Sequence, residues 1–307
     1  MTSKIKLENA EANAKLMRQA TYAAVLVAIM LIGMKSVAFY LTGSVAMMGT
    51  LADSVLDGAA SLLNLFAVRF SLMPADHEHR FGHGKAEALA GLGQAIFICV
   101  SACFIAWEAL QQLLDPRPLD NSLPGIVVTG VAIALTLALV AFQRHVVART
   151  GSLAIAADST HYRGDLLMNL SALLAIFLAG VMGLQWADAV GGLLIAALIA
   201  FSAIQIAMAS YDQLMDRELS DDERERIAEI AKSHPEVVSI HDLRTRAAGT
   251  QTFIQFHLEM DGRITLAKAH LISDDVEARV TEAFPEAEVI IHQDPAGLED
   301  VPEEVRI

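Results

Sequence analysis

Six long apolar runs dominate the first two thirds of this chain, and each is near the length needed to cross a bilayer. About 20 apolar residues suffice for a helical crossing. Hydrocarbon offers backbone N–H and C=O groups no partner, so such runs must be helices, with every backbone bond made inside the segment. The expected spans are residues 21–41, 44–72, 85–114, 125–142, 152–182 and 187–209, forming a six-helix transmembrane domain over residues 20–210. Residues 1–19 are polar, carry Lys4, Lys6, Lys15 and Arg18, and read as a cytosolic lead-in. Of the 307 residues 54% are hydrophobic and only 6% aromatic, so the apolar content is mainly aliphatic and Ala. No short h-region with a cleavage site precedes the first run, so no cleavable signal peptide is expected.

Polar residues inside such runs are costly, at least about 2.5 kcal/mol for a central carboxylate, and normally mark ion or proton pathways. Two stretches stand out: Asp53-Ser-Val-Leu-Asp57 and His161-Tyr-Arg-Gly-Asp165. Each places two ligand-type side chains four residues apart, on one helix face. Asp53, Asp57, His161 and Asp165 together offer three carboxylates and one imidazole, a set suited to a tetrahedral divalent ion such as Zn2+. The competing reading is four unrelated polar residues facing a bundle interior. Arg163 lies between His161 and Asp165 and should point away from them. Cys99 and Cys103 share a helix face, and core packing is the expected role.

Charge sets the expected orientation. The N-terminus and the loops after the second and fourth helices carry nearly all loop Lys and Arg, whereas the opposite loops carry only Arg117. The positive-inside rule then places both termini in the cytosol. Tyr40, Trp107 and Trp186 fall near the outer interface, as an aromatic belt requires.

From about Tyr211 the composition turns soluble and acidic. Ser220-Asp-Asp-Glu223 reads as a capping box opening a helix that ends near Pro235. Residues 238–246 and 252–260 alternate like paired strands, residues 266–284 read as a helix, and 289–292 as a short strand. The order α-β-β-α-β predicts a small α+β domain at 211–295, followed by an acidic tail at 296–307 expected to be disordered. The chain's net charge of −14 argues against a nucleic-acid partner.

Two further ligand clusters lie outside the runs. Asp76, His79 and His83 share one loop with His77 and Glu78. The soluble region holds His241, His257, His270 and His292, with Asp294 two positions after His292, on the same side of a continuing strand. These suggest one or two metal ions; incidental surface histidines are the alternative. Lys85 and Asp216 both fall near the cytosolic interface, where a salt bridge would fit.

The stretches Leu51-Ala-Asp-Ser-Val-Leu-Asp57, Pro74-Ala-Asp-His-Glu-His-Arg-Phe-Gly-His-Gly-Lys-Ala-Glu87, Ala157-Asp-Ser-Thr-His-Tyr-Arg-Gly-Asp165, His241-Asp-Leu-Arg-Thr-Arg246 and Ile290-Ile-His-Gln-Asp-Pro295 carry a resemblance. Over about residues 15–295 the chain resembles the cation diffusion facilitator family. The resemblance implies a Y-shaped homodimer in the bacterial cytoplasmic (inner) membrane, with six helices per subunit and a metallochaperone-like, ferredoxin-like cytosolic domain. It implies a transport site at Asp53, Asp57, His161 and Asp165. A second site would use Asp76, His79 and His83. A binuclear cytosolic site would use His241, His257, His270, His292 and Asp294. A Lys85–Asp216 interlock would sit near the dimer junction.

The expected function is divalent cation/proton antiport, exporting Zn2+, with Fe2+ and Cd2+ as further candidates. Metal ligands must shed protons, so protons and metal compete for one site. Among these ligands the imidazole of His161 is the expected proton carrier. No Gly-x-x-x-x-Gly-Lys-[Ser/Thr] sequence is present, which fits transport without ATP. A membrane metal sensor is the alternative. An intramembrane metallohydrolase lacks its His-Glu-x-x-His, and no enzyme activity is expected.

Overall fold

The structure is a computed structural model that describes residues 2–42, 45–114, 123–182 and 186–297. The Gly43–Ser44 turn, the loop with Pro116, Arg117 and Pro118, and the acidic tail from residue 298 lie outside the described residues. Glu11–Leu214 forms one compact unit, and the chain from Met215 on belongs to another.

Six long helices build the first unit, α1 contributing from Glu11 on: α1 (Thr2–Thr42), α2 (Val45–Ser71), α3 (Lys85–Leu114), α4 (Leu123–Thr150), α5 (Leu153–Met182) and α6 (Ala187–Leu214). Among the described residues, five helices are long and apolar enough to cross a membrane, on α1, α2, α3, α4 and α6. Two boundaries differ from expectation. The polar lead-in is helical and continuous with α1, and α4 runs through Arg144, His145 and Arg149 to Thr150. The segment read as a basic loop is thus mostly helix, and only Gly151, at φ +65°, and Ser152 separate α4 from α5.

Small residues let the helices approach. A Cβ on Gly91 of α3 would lie 2.6 Å from Ser210 Oγ of α6, so a larger residue at that crossing would have to turn the Ser210 hydroxyl aside. Ile98, Ala102, Ile199 and Ala203 fill the rest of that contact, with Cys99 packed against them; Cys103 is exposed instead. Large apolar side chains such as Phe66, Phe104 and Leu194 face outward, 65–68% exposed, as lipid-facing residues do. Tyr40, Trp107 and Trp186 are exposed as well.

The second unit contains α7 (Asp221–Lys232), β1 (Ser239–Ala248), β2 (Gln251–Met260), α8 (Leu266–Ala283) and β3 (Ala287–Pro295). Ser220 and Glu223 form the expected capping box at the start of α7. The sheet order is β1-β2-β3, antiparallel between β1 and β2 and parallel between β2 and β3. A parallel return needs a crossover, and α8 supplies it. Alternation along β2 sends Ile254, Phe256, Leu258 and Met260 into a core with Ile227 of α7 and Ile272, Val276 and Val280 of α8. His257 and Glu259 alternate with those residues and so belong to the opposite face. β3 runs to Pro295, longer than the short strand expected.

Candidate metal centres

In the helical unit, Asp57 on α2 and His161 and Asp165 on α5 converge, their ligand atoms all within 4.8 Å of one another. His161 Nε2 lies 2.9 Å from Asp57 Oδ1 and 3.7 Å from Asp165 Oδ2. The imidazole is buried, with Phe97 and Tyr162 each packed edge-on at 5.8 Å. One nitrogen and two carboxylate oxygens at this spacing can hold a divalent ion of the zinc type. Asp53, one turn earlier on α2, is exposed and not in this group, so three of the four expected ligands are gathered. Arg163 is exposed on α5.

Sequence reasoning missed two neighbours of this triad. Lys35 of α1 donates to Ser54 Oγ at 2.7 Å and to the Thr50 carbonyl at 3.0 Å, within the α2 segment that precedes Asp57. Asp158, three residues before His161, is fully buried. It accepts hydrogen bonds from Gln143 Nε2 of α4 at 2.7 Å, Gln94 Nε2 of α3 at 3.3 Å and Ser61 Oγ of α2 at 3.5 Å. An isolated Lys in an apolar run and an acid one turn from a ligand pair were the available signals.

The loop between α2 and α3 forms the second group. Asp76 Oδ1 accepts from the backbone N–H of His79 at 2.6 Å and of Glu78 at 2.9 Å. Its other oxygen lies 3.3 Å from His83 Nε2. The His79 and His83 rings are 4.6 Å apart, and buried His83 also meets Phe70 edge-on at 4.6 Å. His77 and Glu78 are exposed and outside the group. The backbone N–H of His79, followed by that of Glu78, holds the Asp76 carboxyl below its usual range. A depressed carboxyl stabilises the loop above its ordinary value, and that contribution disappears as pH falls through the lowered one. The His79 amide should therefore stay protected from hydrogen exchange at about pH 4.5, near the ordinary carboxylate range. Asp76→Ala should expose it at that pH; equal protection in both proteins would refute the assignment.

The third group crosses the sheet. His241, His257 and His292 are register partners on β1, β2 and β3, with ring centroids 4.9 and 4.5 Å apart. Asp294 Oδ2 is hydrogen-bonded to His257 Nδ1 at 2.7 Å and lies 3.5 Å from His241 Nε2, and these three form the close ligand group; Asp294 Oδ1 is 3.3 Å from Nε2 of His292, which is exposed and outside that group. A break in register between His241 and Arg244 shapes this end of β1, and Asp242 there takes φ +49°. That turn puts Asp242 Oδ2 3.7 Å from His257 Nε2, while Glu259 Oε1 lies 3.3 Å from His241 Nδ1. Asp242 and Glu259 were not expected; one follows His241 directly and the other shares the strand face of His257. His270 is not in this group. It sits exposed on α8 and pairs with Asp274 at 3.5 Å.

Near the start of the second unit, Asp216 pairs with Arg246 at 3.3 Å, and the Arg246 guanidinium stacks 4.6 Å over Phe253. Lys85, in the first unit, donates to the Leu214 carbonyl at 3.4 Å.

A helical unit carrying a His-Asp-Asp triad, joined in sequence to a sheet carrying a histidine row, is a restrictive combination. The model of the cation efflux transmembrane domain matches residues 21–215, and that of the cation efflux protein cytoplasmic domain matches residues 219–296. The chain belongs to the cation efflux family. It is 48% identical over 280 residues to the cation-efflux pump FieF of Shewanella oneidensis, covering 91% of this chain and 94% of that protein. Against the cation-efflux pump FieF of Cronobacter sakazakii it is 47% identical over 284 residues, covering 92% and 94%. The solved zinc form of CzrB is 33% identical and covers 28% of this chain and 99% of that chain, with a TM-score of 0.27. As a cation efflux protein the chain is an integral membrane transporter and not an enzyme.

Proposed function

We propose that this cation efflux protein exports Zn2+ from the bacterial cytosol in exchange for protons, with Fe2+ and Cd2+ as further cargo. The observation that carries the reading is the buried His161 imidazole set between Asp57 and Asp165 inside apolar helices. Asp53 completes the ligand shell from one turn away on the same helix. Protons and metal compete for the same lone pairs, so a site open to the cytosol loads metal, and a site open to the acidic side exchanges it for protons. The distribution of Lys and Arg supports the inner membrane with both termini cytosolic.

The sheet group and the loop group supply the regulatory metal sites. The imidazoles and carboxylates of the sheet group fit zinc-type ions, and the match to the cytoplasmic domain model supports a homodimer. His270 lies on the helix layer, so a second copy would be its route to a ligand set.

The decisive test is zinc flux in proteoliposomes with an internal pH dye. Zinc movement should be accompanied by opposite proton movement and should collapse when the pH gradient is removed. Zinc flux indifferent to that gradient would rule out antiport, and no flux at all would favour a sensor.

The cytosolic sites give a separate expectation. Residues from Tyr211 to the end carry 23 Asp and Glu against 10 Lys and Arg, so two copies repel each other at low salt. Zinc at about 100 times its Kd adds about 2.7 kcal/mol to whatever state binds it. For a domain this small that raises the melting temperature by roughly 10 °C or more. The fragment from about residue 212 should show this shift in calorimetry and move toward dimer. His241→Ala or His292→Ala should weaken both effects while reducing, not eliminating, flux of the full chain. An unchanged melting temperature would make the histidines incidental.

A further inference from the structure

Lys35 is an ammonium set within an apolar helix, a placement that is costly unless it serves the ion pathway. Its two hydrogen bonds go to Ser54 Oγ and the Thr50 carbonyl, and neither goes to a carboxylate. Even so it lies in electrostatic range of Asp57, Asp165 and Asp53. The charge is therefore held beside the ligands without occupying their lone pairs.

We infer that Lys35 is a fixed counter-charge that matches the transport site to a divalent ion, an inference that rests on the reading of Asp53, Asp57, His161 and Asp165 as that site. Counting the four proposed ligands and Lys35, three carboxylates, a neutral imidazole and one ammonium leave two negative charges; Asp158 stands outside this count, its carboxyl turned to Gln143, Gln94 and Ser61. A bound divalent ion makes the group neutral, which is the cheapest state for a cluster in low dielectric. A monovalent ion leaves it anionic, and a trivalent ion leaves it cationic. Lys35 also keeps the occupied site from holding its ion too tightly to release it. The Ser54 bond anchors the ammonium to the α2 segment between Asp53 and Asp57, so the counter-charge follows these ligands whenever that segment moves.

The sign of the effect separates this role from a structural one. Removing a positive charge strengthens cation binding, and a divalent ion feels the loss twice as strongly as a competing proton. Lys35→Gln, which keeps a hydrogen-bond donor but not the charge, should lower the KM for zinc flux about tenfold and slow turnover by a similar factor. It should also release more protons per zinc bound in an unbuffered dye assay, because the more negative empty site holds more of them. Lys35→Arg should bring KM back to within about threefold of the parent, and Lys35→Met should repeat the Gln result if the Gln protein is not monodisperse. Lys35 would then be shown to set the charge of the site. A KM that rises or stays within about twofold in the uncharged variants, with proton release unchanged, would overturn the inference. Asp57→Ala is run alongside. If it loses flux while Lys35→Gln behaves as the parent, only the counter-charge role fails. If Asp57→Ala transports normally, the transport-site reading fails and takes this inference with it.

Discussion

Asp57→Ala should lower zinc flux by more than about a hundredfold, because even outer partners of metal ligands typically cost 10–100-fold when removed. The variant deletes the carboxylate 2.9 Å from His161 Nε2, leaving the buried imidazole, packed against Phe97 and Tyr162, without its nearest oxygen partner. Asp165→Ala, which removes the other oxygen of the triad, should be as severe. Asp53→Ala should also lose flux if Asp53 closes the shell around the ion. His161→Asp is expected to retain transport while admitting harder ions such as Mn2+, since oxygen-only shells suit them better. It should also change the pH profile by removing the imidazole. These variants are read in proteoliposomes at matched protein levels, with size-exclusion profiles confirming intact assembly. Near-normal zinc flux in Asp57→Ala or Asp165→Ala would end the assignment, as would unaltered selectivity and pH profile in His161→Asp.

The parts legible in the sequence were those governed by a single period. The i,i+4 pair His161 and Asp165 of α5 does meet Asp57 of α2, whereas Asp53, the other half of the α2 pair, is exposed and outside the group. Capping chemistry at Ser220 and Glu223 is equally local and was equally readable. Helix ends misled where charge was taken for loop. The Lys-, Glu- and Ala-rich lead-in to α1 has high helix propensity, and nothing in it breaks a helix. Arg144, His145 and Arg149 are likewise helix-compatible, and α4 stops only at Gly151, where φ turns positive. Long-range register was not legible. That His241, His257 and His292 are cross-strand partners depends on the irregularity at Asp242 and on the length of β3. Lys35 and Asp158 were given no part in the site for a related reason. Lys35 is one polar residue without a periodic companion, and Asp158, although one turn before His161, takes its role from donors that three other helices bring to it.

Asp158→Ala should be the most destabilising single change in the helical unit. One carboxylate on α5 ties together Gln143 of α4, Gln94 of α3 and Ser61 of α2, and Ser61 Oγ also lies 2.9 Å from the Tyr162 hydroxyl. Removing the acceptor strands the buried amide donors of Gln143 and Gln94, while Ser61 keeps the Tyr162 hydroxyl as a partner. Each buried orphan costs about 1–3 kcal/mol in a soluble protein, but interhelical bonds in membranes average nearer 0.6. The sum is on the order of 3 kcal/mol, enough to lower the melting temperature of the detergent-solubilised protein by several degrees. Asp158→Asn should behave differently. The Oε1 atoms of Gln94 and Gln143 are buried and have no hydrogen-bond partner in the present arrangement. A glutamine amide that flips can therefore accept from the new Asn amide, and the network closes again. Asn should recover most of the lost stability, whereas Ala should not. His161 lies three residues further along α5, so loosening this anchor should raise the KM for zinc in the Ala variant as the triad loses its fixed spacing. A melting temperature for Asp158→Ala within about one degree of the parent would show that the four helices are held without this carboxylate.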